Sequence, residues 1–271
     1  IHNISDQNTS STSTAYPIYA TTVYGRGGAP LLIANNIMYN LNTDGTVYGI
    51  YQLTGDSIAY YHNTISVDNV NATGASTIRA MFISSSSGYF DVKNNIFSIT
   101  EGGTGTKTLM YLSSTNPTFS INYNQYFSSA TGTNILGYYG GNQNSLSDFQ
   151  TASSQEANGV VGDPLFVNPA IGDLTPSAPP GNNNGLNLQS IVPIDFTGAS
   201  RPTTPDRGAF EFSPLYCLQP YNLQFDTVTT SSVFLSWIND AAADSVKIEW
   251  VPCGGSQGTG NFVFVADSSY T

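Results

Sequence analysis

The sequence predicts an all-β chain whose strands stack as successive coils, and three observations carry that expectation. A stretch of alternating polarity broken by an asparagine corner recurs four times: LLIANNIMYN at 31–40, SIAYYHNTISV at 57–67, YFDVKNNIFSI at 89–99 and TFSINYNQYFS at 118–128. A partial copy, IHNIS, opens the chain. A different set of apolar runs repeats between the corners at a similar period. Finally, only 9% of residues are charged while 12% are aromatic, a composition that folds rather than staying disordered.

Aligned on the second corner residue, the copies give Asn3, Asn36, Asn63, Asn95 and Asn124, at steps of 33, 27, 32 and 29 residues. A period of about thirty residues with strand-like content marks a stacked array. Five residues before the asparagine stand Leu31, Ile58, Phe90 and Phe119, and three before it Ile33, Tyr60, Val92 and Ile121. These share the inward strand face, which resumes beyond the bend at Met38, Ile65, Phe97 and Tyr126. Between them lie Leu32, Ala59, Asp91 and Ser120, then Ala34, Tyr61, Lys93 and Asn122, a mixed set expected to face solvent. Asparagine tolerates left-handed angles at a bend. Stacked at the strand spacing of about 4.8 Å, equivalent asparagines can bond one another as a ladder. His62, at the corner position held by Asn35 and Asn94, is expected to substitute in that ladder.

The second series is centred on Ile18, Ile50, Met81, Met110 and Gly137, so each turn carries at least two strands. Its loops are rich in Gly, Ser, Thr and Asn. The two series together resemble the right-handed parallel β-helix repeats of secreted bacterial proteins, a group with pectate-lyase-like enzymes and many non-enzymatic surface proteins. The resemblance spans roughly half the chain and speaks to architecture alone. An antiparallel sandwich of short strands would explain the composition but not two parallel series.

Three regions follow: coils over 1–140, a covering tail over 141–213 and a separate module over 214–271. Ile1 already sits inside a repeat, so further coils and any signal peptide are expected upstream. Past Tyr139 the repeat weakens, and residues 145–149 are expected to start a short helix capped by Ser147. A Pro- and Asn-rich tract then carries Asp163-Pro164-Leu165-Phe166, Pro176-Ser177-Ala178-Pro179, Asp195-Phe196-Thr197-Gly198 with Arg201, and Gly208-Ala209-Phe210-Glu211. That order resembles the terminal segment of a family of bacterial surface β-helices, with a departure at the Ser-Pro-Ala element. Such a tract is expected to close the exposed end of the stack. Its charged residues Asp195, Arg201, Asp206, Arg207 and Glu211 are expected to pin it through Arg–carboxylate pairs rather than to perform acid–base work.

From residue 214 the character changes to alternating runs around YNLQF, SVFLSW and VKIEWV. The Leu-Ser-Trp element resembles the second strand of a fibronectin type III domain. Such sandwiches need about a hundred residues, so the module is expected to be incomplete. Cys217 and Cys253 are the only cysteines. In the extracellular setting that the resemblance implies, a disulfide is favoured over two free thiols. Two cysteines with His2 and His62 far upstream make a poor metal site, and no cofactor is expected.

Seven Lys and Arg against eighteen Asp and Glu, a formal charge of −11, leave no basic patch for nucleic acid or anionic lipid. No apolar run reaches spanning length, so membrane insertion is not expected. The acids of the coils, Asp6, Asp44, Asp56, Asp68, Asp91 and Glu101, find no acid at the same repeat position of the next coil, as a lyase or glycosidase would need. No catalytic residue is assigned. The tyrosines are the binding candidates: Tyr48, Tyr51, Tyr60, Tyr61, Tyr111, Tyr138 and Tyr139 recur at related positions, with Tyr61, Tyr111 and Tyr139 chosen for stacking on sugar rings. The expectation is a non-catalytic adhesin or structural stalk at a bacterial surface, meeting extracellular polysaccharide or a host or neighbouring cell. The alternative is a carbohydrate-active β-helix with catalytic coils upstream. The composition resembles secreted Bacteroidetes proteins, which implies an outer-membrane translocon as a partner during export.

Overall fold

The computed structural model describes residues 11–177, 179–213, 221–238, 245–252, 254, 260–266 and 269–270. Asn3, Cys217 and Cys253 lie outside the described residues. The chain divides into two compact units, Ile1–Pro214 and Leu215–Thr271.

The first unit is a parallel β-solenoid of about four turns. Its first coil holds β1 (Ile18–Tyr24), β2 (Leu31–Ala34) and β3 (Ile37–Met38), and its second β4 (Val47–Asp56), β5 (Ile58–Tyr61) and β6 (Thr64–Val67). The third holds β7 (Ile78–Ile83), β8 (Tyr89–Lys93) and β9 (Ile96–Ile99), and the fourth β10 (Thr106–Leu112), β11 (Thr118–Asn122) and β12 (Gln125–Ser128). Then come β13 (Thr133–Tyr139), β14 (Asn142–Gln143), helix α1 (Leu146–Ser153) and β15 (Val160–Val161). Three sheets result, in the orders β1-β4-β7-β10-β13-β14, β2-β5-β8-β11 and β3-β6-β9-β12-β15. Within these three sheets all pairings are parallel except β13 with β14, which excludes an antiparallel sandwich for the coils.

Each coil has three strands because the asparagine corner splits one apolar stretch in two. Register follows the sequence series: Ile18, Ile50, Met81, Met110 and Gly137 pair in succession. So do Ile33, Tyr60, Val92 and Ile121. The inward side chains form one continuous core from Met38 to Phe149. At the corner it is the first residue, not the second, that is left-handed: φ is 54° at Asn35, 53° at His62, 57° at Asn94 and 61° at Tyr123.

The core of the last coil is closed by α1, at the start of the tail. Ser145 caps this helix, its side chain accepting from the Asp148 amide at 3.1 Å while Asp148 accepts from the Ser145 amide at 3.1 Å. Ser147 lies inside the first turn, where its carbonyl accepts from Thr151 Oγ1. Helix α1 places Phe149, fully buried, into the core. The residue that makes room is Gly137, where any side chain would run into the Phe149 ring.

The rest of the tail covers a flank. A hairpin of β16 (Phe166–Asn168) and β17 (Asp173–Pro176) leads into it. Gly181 packs beside Gln125 of the fourth coil, Leu186 bonds Asn94 of the third, Leu188 and Val192 cover Ala59 and Tyr61 of the second, and the Ile194 carbonyl accepts from Asn35 of the first. Ala59, Tyr61 and Asp91 are buried, so the middle of the expected solvent face is a second interface, while Leu32 at its start stays exposed. A further cluster joins Leu174, Ala209 and Phe210 to Ile37 and Tyr39.

The second unit is antiparallel. β18 (Tyr221–Val228) and β19 (Val233–Ile238) pair, β20 (Val246–Trp250) and β21 (Asn261–Val265) form another pair, and β22 (Ser269–Tyr270) adds to β19. Trp237 is its buried aromatic, 6% exposed.

Candidate functional site

Three polar or aromatic systems run along the solenoid, and only one meets solvent. The first is internal. Asn36 Nδ2 donates to Asn63 Oδ1 at 2.8 Å, Asn63 to Asn95 and Asn95 to Asn124 at 2.9 Å each. Each of those oxygens also accepts the backbone amide of the preceding corner. The second amide hydrogens of Asn63, Asn95 and Asn124 reach the carbonyls of Ile33, Tyr60 and Val92 at 2.9 Å. The amides of Asn63, Asn95 and Asn124 are satisfied this way, each bond contributing about 1 kcal/mol net.

The ladder ends on Glu156, one coil beyond Asn124. Its carboxylate accepts Asn124 Nδ2 at 2.9 Å, the Asn124 amide at 2.8 Å and the Tyr126 hydroxyl at 2.9 Å. Burial pushes the Glu156 carboxyl up, and these donors oppose that shift. An ionised carboxylate only accepts, so it needs no further rung.

The second system is the row of left-handed corner residues, which holds the tail. Asn35 donates to the Ile194 carbonyl at 2.8 Å and accepts from Arg201 at 2.9 Å. Asn94 donates to the Leu186 carbonyl and accepts the Leu186 amide, both at 2.8 Å. His62 Nε2 accepts from Asn94 at 2.9 Å, and His62 Nδ1 donates to the Gly208 carbonyl at 3.2 Å. His62 thus belongs to this outer row, not to the asparagine ladder. Burial, aided by Arg201, pulls its pKa down to about 3, which keeps it neutral.

The tail's charged residues divide their roles. Arg201 pairs with Glu211 and also donates to the Gly208 carbonyl. Asp195 accepts the amides of Thr197, Ala199 and Glu211, and Asp206 those of Asn183 and Phe212. Among the described residues Arg207 makes no carboxylate pair. It donates to the Asn124 and Asn158 carbonyls at 2.8 Å each and to Asn184 Oδ1 at 2.8 Å. Turn carbonyls left over at the end of the stack outcompete the acids for its fork.

Four acids of the coils are engaged likewise, whereas Glu101 Oε2 is buried without a hydrogen-bond partner and Asp6 lies outside the described residues. Asp44 accepts the Thr73 and Gly74 amides, Asp56 the Tyr89 amide and Asp68 the Asn40 amide. Asp91 pairs with Lys93 at 2.7 Å and accepts the Tyr61 hydroxyl at 2.5 Å. Glu101 is 2% exposed, and burial pushes its carboxyl up to about 8 against the pull of Lys107. Lys107 Nζ donates to the Gly103 carbonyl at 2.9 Å. Among the described residues no group of three or more His, Cys, Asp or Glu is placed to hold a metal ion.

Of the three tyrosines chosen from sequence, one is buried and one is half-buried against the core. Tyr61 is 3% exposed beneath Leu188 and Val192. Tyr139 pairs in register with core residue Leu112 and packs against the core. Tyr111 belongs to the third system, a row on the outer face of the first sheet.

That row is Tyr19, Tyr51, Phe82, Tyr111 and Tyr138, in register on five successive strands. Ring centroids are 5.1, 4.9, 5.2 and 4.3 Å apart. Tyr16 and Tyr48 stack beside it at 5.3 Å. Arg79 lies within, its guanidinium carbon 3.7 Å from the Tyr111 centroid and 4.4 Å from that of Phe82. Burial, then the nearby Tyr48, Tyr51 and Tyr19, raise the Tyr16 hydroxyl above its ordinary value. The row was legible one residue after each centre of the second series, since Tyr19, Tyr51, Phe82, Tyr111 and Tyr138 follow Ile18, Ile50, Met81, Met110 and Gly137.

Comparison with protein-family models, curated proteins and solved structures finds no match for this chain. The fold and the row are what the molecule itself presents.

Proposed function

We propose that this chain is a non-catalytic, glycan-binding section of an exported bacterial surface protein. In this reading the solenoid is a right-handed β-helix that gives length at the cell surface, and the second unit is a fibronectin type III-like module. An outer-membrane translocon serves it during export. Extracellular polysaccharide, free or on a neighbouring cell, is the partner.

The observation that carries the reading is the outer aromatic row from Tyr19 to Tyr138. Aromatic rings with polar edges suit sugars, whose C–H faces pack on rings and whose hydroxyls bond to phenols. The engagement of Asp44, Asp56, Asp68, Asp91 and Glu156 with backbone and side-chain donors supports a non-catalytic role, because an acid held in such bonds is not poised to receive a substrate proton.

The test is retention of the full chain on a panel of immobilised polysaccharides, scored together with the appearance of new chain ends. Retention without new ends is the expected result. New ends overturn the non-catalytic assignment, and absence of retention on every polysaccharide overturns glycan binding.

A further inference from the structure

Arg79 is the cation of the first unit that is half-buried on an open face without an anion. Of the seven Lys and Arg, Lys93 is paired with Asp91 and Arg201 with Glu211. Lys107 and Arg207 are buried on carbonyls, and Lys247 stands over the Phe262 ring. Arg26 is exposed in the turn after β1. Arg79 sits instead against Tyr111, Phe82 and Tyr48. Its Nε is buried with no acceptor, and neither ion pair of the described residues includes it.

A guanidinium stacked on a ring keeps its flat faces occupied and its N–H edge free. That edge is preorganised, since the rings have already restricted its rotamers. On a chain with a formal charge of −11, one unpaired cation amid aromatic rungs is a local reversal of sign. Around it the rings of Tyr19 and Tyr51 stack on each other, interplanar angle 4°, as do those of Tyr111 and Tyr138. One face of each is thereby used, leaving outer edges and hydroxyls for a ligand. The surface is therefore a set of phenol edges, interrupted by the buried Phe82, around an unpaired guanidinium fork, better matched to a hydroxylated and charged ligand than to an apolar one. A single cation is too little for the dense phosphates of nucleic acid, which many contacts must neutralise.

We propose that the Tyr19–Tyr138 row with Arg79 binds an acidic polysaccharide, Arg79 taking an anionic group of one sugar while neighbouring rungs hold the flanking sugars. This rests on the glycan-binding reading and narrows it to one charge class. A uronate carboxylate and a sulfate ester share the chemistry the fork recognises.

The test measures binding of the full chain by calorimetry to alginate, dextran sulfate and unmodified dextran, with Arg79→Gln, Arg79→Lys and Arg26→Gln alongside. Alginate against dextran sulfate separates the two anion sources, and the two dextrans differ in sulfation alone. At least one anionic polymer is expected to bind at least about tenfold tighter than dextran, with Arg79→Gln losing about tenfold, the scale of one charge-assisted contact. Arg79→Lys should lose less, keeping the charge without the fork, and Arg26→Gln should bind as wild type. Far-UV circular dichroism melts of each variant guard against misfolding, and Arg79→Lys decides if Arg79→Gln does not fold. Equal binding of dextran and the charged polymers, or Arg79 variants that bind as wild type, overturns the acidic-ligand inference and leaves glycan binding standing. Binding of none of the three polymers by wild type overturns this inference. Failure on the full polysaccharide panel is what overturns the broader reading.

Discussion

Asn124 Nδ2 donates to Glu156 Oε2 at 2.9 Å, and that bond turns an open-ended amide ladder into a finished one. An asparagine at 156 would itself need an acceptor beyond the last coil. The acid stops the relay, and Arg207, on the Asn124 carbonyl, supplies countercharge nearby.

Replacing Glu156 by Ala should strand three buried donors, the Asn124 amide, Asn124 Nδ2 and the Tyr126 hydroxyl. At about 1–3 kcal/mol for each unsatisfied group, a loss of at least about 3 kcal/mol is expected, with Glu156→Gln intermediate. Urea unfolding followed by far-UV circular dichroism measures it. An unchanged midpoint for Glu156→Ala would refute the capping role.

Gly137→Ala should cost about 1–3 kcal/mol by overpacking against Phe149. Phe149→Leu in the same chain should recover part of that cost. A double-mutant cycle with no coupling between the two positions would show that the ring does not set the glycine.

Glu101 has its carboxyl raised by burial to about 8. Its folded value exceeds the ordinary 4.5, so the folded chain holds a proton that the unfolded chain has released. Stability from this group is complete below pH 4.5 and is lost as pH rises toward 8, at up to about 1.4 kcal/mol per pH unit. Glu101→Gln should flatten the decline between pH 4.5 and 8. A variant that falls in parallel with wild type across that window would exclude the buried acid as its source.

His62 has the opposite sign. Its folded value of about 3 lies below the ordinary 6.5, so its contribution is complete above pH 6.5 and is lost as pH falls toward 3. His62→Asn restores the residue found at Asn35 and Asn94 and tolerates the φ of 53°. The variant should be slightly less stable than wild type at pH 8, losing the Gly208 contact, and should gain on it steadily below pH 6.5. A difference independent of pH would sink the assignment of a buried neutral imidazole.

Much of this molecule is written locally. The alternation around Asn36, Asn63, Asn95 and Asn124 determines strand and inward face, because a pleated strand repeats every two residues, and each of these asparagines supplies the amide that bridges coils while the residue before it takes the left-handed bend. The spacing of Ile18, Ile50, Met81, Met110 and Gly137 determines the register of the first sheet, since only that register buries them all. The aromatic row was contained in the same pattern, one residue on.

Tertiary structure alone decided which outward faces stay open. Tyr61 and Tyr111 both alternate with core residues, yet Leu188 and Val192 bury the first, whereas the second is half-buried among Arg79 and its neighbouring rungs. The covering residues come from more than a hundred positions away, and no periodicity records where a tail of irregular backbone will lie. The same long-range placement put His62 on Gly208, Arg207 on Asn124 and Phe149 in the space above Gly137. Local pattern specifies which way a side chain points, whereas exposure depends on what the rest of the chain brings to it.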